Sequence, residues 1–187
     1  MVSKALLAVA SAVVLISPVS TMAEVAGPTV AYTSGSAPRF GFLAGPSKSD
    51  VAWNTSGDEV AQKASLEDPA AAISKAVAEA IAKRKNGTVA AGGKADFTVK
   101  VETTKWSAGY FVPSRPTYNV EYDAQVTVTD GSGAVVKTAE CLVTPDDRVS
   151  AGSNDEFVAH SGKTLKAFLA KAAQDCQRTL ISKTRSV

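Results

Sequence analysis

The chain has 187 residues, with 20 basic and 18 acidic side chains, a formal net charge of +2, two cysteines and one histidine. A balance so near neutral excludes a general electrostatic pull toward nucleic acid or acidic lipid, and so few Cys and His residues exclude a zinc cage of ordinary spacing. Aromatic residues make up 6% of the chain, so its core is expected to be lean.

The chain opens "MVSKALLAVASAVVLISPVSTMAEVAG". Lys4 supplies a positive start, Ala5 to Ile16 is a mainly apolar run, Pro18 breaks it, and small residues precede Glu24. That order predicts a secretory signal over 1–23, cut after Ala23. The run is shorter than the roughly 20 residues of a membrane span, and no cysteine follows it to carry a lipid. The expected mature chain is exported, to the periplasm or the medium, with no transmembrane span.

Residues 24–67 are rich in Gly, Ser, Thr, Pro and Ala and read as an irregular segment. "PRFGFLAGP", around Phe40, Phe42 and Leu43, is its one candidate edge strand. From 68 to 187 the pattern is that of a compact α+β domain. Asp68 and Pro69 open a helix, with Ile73, Ala76, Val77, Ala80 and Ile81 along one stripe and Asn86-Gly87 as the stop. A strand follows, with Phe97, Val99 and Val101 inward. Two further strands, about 118–129 and 134–144, are joined by "DGSG", a hairpin signal. A last helix covers about 155–182, with Gly162 predicting a break near Ser161. The expected fold is α+β: an antiparallel sheet of three or four strands with two helices packed on one face. The other face, with Lys100, Glu102, Asn119, Glu121, Asp123, Gln125, Thr127 and Thr129, is expected to be wet.

The cysteines fit this arrangement. Alternation puts Val135, Ala139, Cys141 and Val143 on one face of the third strand, with Lys137 the exception. Helical spacing puts Leu165, Phe168, Leu169, Ala172, Cys176 and Leu180 on one stripe. Both sulfurs therefore point into the helix–sheet interface, and in an exported chain a Cys141–Cys176 bridge is the expected pairing. An intermolecular bridge and two free thiols are the alternatives.

Motifs of chemistry are few. "SGKT" at 161–164 lacks the glycine array and strand of a phosphate loop, and His160 stands in no recognisable nucleophile arrangement with Cys141. Glu121 and Asp123 share the outer face of one strand, where paired carboxylates either work on sugars or are simply solvated. No catalytic, cofactor-binding or metal-binding residue is assigned, and no cofactor is expected. The segment "KWSAGYFVPSRPTY" gathers Trp106, Tyr110, Phe111, Arg115 and Tyr118. Tyr, Trp and Arg are common anchors of protein interfaces, which makes these five the candidate interface. The competing reading has the rings covering the open end of the core.

"PAAAISKAVAEAIAKRKNG", "ADFTVKVETTKW" and "YDAQVTVTDGSGAVVKTAE" together resemble small domains of bacterial envelope accessory lipoproteins, such as the YajG-like proteins and auxiliary subunits of envelope transport systems. The resemblance covers roughly residues 68–182. It implies a non-catalytic role at the envelope with a protein partner and no nucleic acid. Those relatives are usually lipidated, and this chain has no cysteine at the cleavage site. The alternative classes are a small secreted enzyme, which would show a concave site with a polar cluster, and a structural component of a surface assembly, which would show an unpaired strand edge.

Overall fold

The computed structural model describes residues 27–43, 56–110, 118–143 and 154–187, with backbone alone at 110, 118 and 154–160. The expected leader lies outside the described residues. Among those described, six strands form one sheet: β1 (Thr29–Ser34), β2 (Gly41–Leu43), β3 (Thr88–Ala90), β4 (Phe97–Tyr110), β5 (Tyr118–Asp130) and β6 (Val135–Val143). The helices are α1 (Gly57–Lys63), α2 (Ala70–Arg84) and α3 (Asn154–Lys183). The order across the sheet is β3-β1-β4-β5-β6, with β2 also on β4.

This corrects the expected antiparallel sheet of three or four strands with two helices. β1 runs parallel to both β3 and β4, and β2 runs parallel to β4, so the sheet is mixed and carries three helices. The missed element is β1, "TVAYTS". It is too short and too rich in Thr and Ala to show a period of two, yet it lies between two strands, where Val30 and Ala31 are fully buried. A parallel neighbour needs a long crossover, and α2 supplies one between β1 and β3. The segment around Phe42 forms β2, only three residues long.

α2 starts and stops as its sequence suggests. The Asp68 carboxylate accepts from the Ala70 N–H at 3.1 Å, and Lys83 and Arg84 lie in the last turn, where the dipole favours positive charge. At the far end Asn86 turns left-handed (φ 52°) and the Gly87 N–H closes on the Ala82 carbonyl at 2.8 Å. α2 buries Ile73, Val77 and Ile81, and α3 buries Leu165, Leu169, Cys176 and Leu180. α2 packs on β1 and β4, α3 packs on β5 and β6, and the two helices touch, so they share one face of the sheet. The expected break near Ser161 does not divide α3, which runs as one helix over Asn154–Lys183, but Ser161 and Gly162 both take positive φ there, 57° and 70°. A Cβ on Gly162 would come within 2.5 Å of the Ala64 side chain, so glycine also allows α3 to approach the end of α1.

Two bulges set which residues face the helices. In β4, Thr103 pairs with Ala124 and Lys105 with Asp123, leaving Thr104 as an extra residue. Inward facing thus passes from Val99, Val101 and Thr103 to Trp106 and Ala108. In β6, Lys137 pairs with Val128 and Val135 with Thr129, leaving Val136 extra. Val128 is buried under the helices and Thr129 is not, so Val135 falls on the outer side and Lys137 on the helix side. The expectation that Val135 shares the face of Ala139, Cys141 and Val143 is therefore corrected. A one-residue insertion moves every preceding side chain to the opposite face.

Candidate binding surface

Cys141 and Cys176 are joined in a disulfide within the chain, with Cα atoms 5.2 Å apart and both residues buried. It ties the outermost strand, β6, to α3. A thiol in this linkage has no nucleophilic role, and His160 is described by its backbone alone. Among the described residues no group of three or more His, Cys, Asp or Glu could hold a metal ion, and no described helix is long and apolar enough to cross a membrane.

Beneath the helices lies one buried polar network. Thr103 Oγ1 donates to Asp68 at 2.5 Å and lies 2.8 Å from the Tyr122 hydroxyl, which in turn is 3.4 Å from Asp68. Burial pushes the Tyr122 phenol well above its ordinary range, so it stays a neutral hydrogen-bonding group. The network joins the start of α2 to β4 and β5, and Tyr122 is closed to solvent. Its chemistry is structural: each member satisfies another. A groove of about 290 Å³ lies nearby, lined by Ser65, Leu66, Glu67, Pro69, Lys166 and Leu169.

The opposite face of the sheet is polar, and its charges have partners. Lys105 donates to Glu121 at 2.8 Å, and Ser107 Oγ reaches the second Glu121 oxygen at 3.3 Å. The hydrogen bond to Glu121 is the main cause that raises the Lys105 ammonium. Lys100 pairs with Glu102 at 2.7 Å, and Gln125 donates to Glu140 at 3.0 Å. Asp123 accepts from the Val143 N–H at 3.2 Å, and partial burial raises its carboxyl above the ordinary value, with nearby Glu121 adding to the rise. Glu121 and Asp123 do share a face, but each is held by a neighbour of the fold.

The candidate interface residues fall in different places. Trp106 is only 7% exposed, stacks edge-on against Phe40 at 5.1 Å and donates its indole N–H to the Pro38 carbonyl at 2.6 Å. Its ring fills the core at the β2 end. The backbones of Tyr110 and Tyr118 pair in the β4–β5 register, while Phe111 and Arg115 lie outside the described residues.

The structure instead draws the eye to β6. Among the described residues, large apolar side chains are exposed at Leu142 (70%), Val135 (60%), Val136 (45%) and Leu43 (55%), and three of these four lie on this one strand. β6 pairs with β5 on one side and with no described strand on the other. Lys183 reaches across from α3 to the Glu140 main-chain carbonyl at 2.8 Å. A free edge beside exposed apolar side chains can accept another strand. Sequence reasoning missed Leu142, although its signal was present: a residue next to an inward Cys141 must face out, and an apolar residue there lacks a core to fill.

No family model and no curated protein matches the chain. Among solved structures it is similar to protein XCC0632 of Xanthomonas campestris, of the DUF330 family, at 11% identity over 93% of this chain and 95% of that one, with a TM-score of 0.44. It is also similar to the hypothetical protein CT253 of Chlamydia trachomatis, at 11% identity over 87% and 100% of the two chains and a TM-score of 0.38. A third is the lipoprotein GNA1162 of Neisseria meningitidis, at 15% identity, 78% and 98% coverage and a TM-score of 0.26. These likenesses assign no activity to this chain.

Proposed function

We propose that this chain is an exported, non-catalytic envelope accessory domain that works through protein contacts, with the β6 edge as its contact surface. The observation that carries the reading is the concentration of exposed Leu142, Val135 and Val136 on a strand whose other side pairs with no described strand. Such an edge equally suits a structural component of a surface assembly, which is the second reading. Export rests on the leader read at 1–23 and is supported by the Cys141–Cys176 disulfide, since such bonds persist in oxidising compartments. The YajG-like character read from the sequence belongs to the same proposal. So does the aromatic segment, with Tyr110, Phe111, Arg115 and Tyr118 as further anchors and Trp106 holding its base from within the core.

The test is capture from the native envelope fraction with the wild-type chain and with Leu142→Lys. A specific partner retained by the wild type and lost by the variant is expected. Equal capture by both removes β6 as the surface, and recovery of the native protein from the cytoplasm with Met1 intact removes export.

A further inference from the structure

We infer that β6 pairs antiparallel with β6 of a second copy of this chain, about a two-fold axis at Ala139. This rests on the protein-contact reading above and names its partner. A two-fold contact presents the same patch from both sides, so the patch must complement itself. β6 does: its exposed apolar residues lie at opposite ends, Val135 and Val136 at one and Leu142 at the other.

Register selects the axis. Opposed residues in an antiparallel pair lie on the same face, so allowed axes on a residue differ by one position along the strand and by two in pairing. With the axis at Ala139, Leu142 of each copy lies opposite Val136 of the other, Glu140 opposite Thr138, and Lys137 opposite Cys141. Apolar meets apolar, and no like charges oppose. With the axis at Glu140, the two Glu140 carboxylates face each other, which is destabilising. With the axis at Thr138, Val136 faces Glu140 and Leu142 runs past the end of the partner strand. The Ala139 register alone among the three satisfies both the apolar and the charged residues. Lys183 does not block it, because a carbonyl oxygen has a second lone pair for the new ladder. The other edge strands, β3 (Thr88–Ala90) and β2 (Gly41–Leu43), offer three residues each, with Leu43 the single exposed large apolar side chain between them.

The experiment is sedimentation equilibrium on the purified chain through the micromolar range, with wild type and Leu142→Lys. A reversible dimer is expected, and the variant should raise its dissociation constant at least about tenfold, since each dimer loses two apolar contacts. At concentrations below the dissociation constant, melting of the variant should match wild type because Leu142 is exposed in the single chain. The register is tested separately by oxidising Thr138→Cys mixed with Glu140→Cys. The mixture should give far more disulfide-linked dimer than either variant alone. A wild type that stays monomeric, a dimer indifferent to Leu142→Lys, or equal cross-linking in mixed and unmixed samples overturns the inference. A monomeric chain whose envelope capture still depends on Leu142 overturns self-pairing while leaving the broader contact reading intact.

Discussion

The two bulges of the sheet solve the same problem to opposite effect. Each inserts one residue, Thr104 in β4 and Val136 in β6. The β4 bulge keeps Trp106 and Ala108 under the helices and places Thr104 and Lys105 in solvent. The β6 bulge leaves Val135 and Val136 exposed and turns the half-buried Lys137 toward the helix side. A bulge is therefore neither a defect nor a device by itself; the polarity of the residues it re-aims decides which. The β4 bulge serves the core, and the β6 bulge makes a surface.

The largest way to break this comparison is to cut the tether that holds β6 beyond its bulge. Changing both Cys141 and Cys176 to Ala opens a loop with a sequence separation of 35, and the chain-entropy estimate puts the loss at about 4 kcal/mol. Denaturant unfolding should show it as a lowered midpoint. A loss under about 1 kcal/mol would mean that α3 packing, not the bridge, holds the strand.

The next test probes the inward side. Trp106→Ala removes a ring packed on Phe40 and leaves the Pro38 carbonyl without its indole donor, so it should cost about 3–4 kcal/mol. Val136→Thr, on the other bulge, should stay within about 0.5 kcal/mol. Similar losses for the two variants would erase the distinction between core and surface bulge. A small Trp106 loss together with weaker partner capture would return that residue to the interface.

How much of this was legible follows from which signals are local. Caps, helical stripes and the "DGSG" turn are local, and they placed α2, the β5–β6 hairpin and α3; Gly162 marked a local change of φ and not a break. The turn works as read: the Asp130 carboxylate accepts from the Ser132 hydroxyl at 2.6 Å and from the Ser132 and Ala134 N–H groups, Gly133 takes a positive φ, and these bonds, the Ser132 hydroxyl above all, hold the Asp130 carboxyl below its ordinary value. The cysteine pairing was legible because each sulfur's facing came from its own element. β1 was not, because its burial comes from neighbours distant in sequence, β3 and β4, and not from its own pattern. The bulges were not, because period-two alternation carried through an unseen insertion puts Val135 on the wrong face. Lys137 was the clue: a charge within an apolar alternation marked the break, although the residue that had changed sides was Val135. For the surface, the aromatic cluster drew attention by composition, while Leu142 carried a weaker but more directional signal.

The smallest effect sharpens the comparison where the two bulged strands meet across β5. Asp123 lies opposite Lys105 on one side and Leu142 on the other. Burial raises its carboxyl, Glu121 adds to the rise, and the Val143 N–H and Lys105 pull against it. A raised carboxyl binds its proton more tightly in the folded chain than in the unfolded one. Its contribution to stability therefore falls as pH climbs from the ordinary carboxylate range through the raised value, and rises again on acidification. Asp123→Asn removes the charge and keeps an oxygen for the Val143 N–H. It should stabilise the protein at neutral pH, by no more than about 0.5 kcal/mol, and the gain should vanish as pH drops below the ordinary carboxylate range. Paired melting curves across that range measure it. A loss of stability at neutral pH would mean that attraction to Lys105 outweighs burial, and that the polar face past the β4 bulge is held together by its ion pairs. A gain confined to neutral pH would instead mark Asp123 as a charge held at some cost beside the exposed Leu142, on the side of the sheet where the β6 bulge has built a surface.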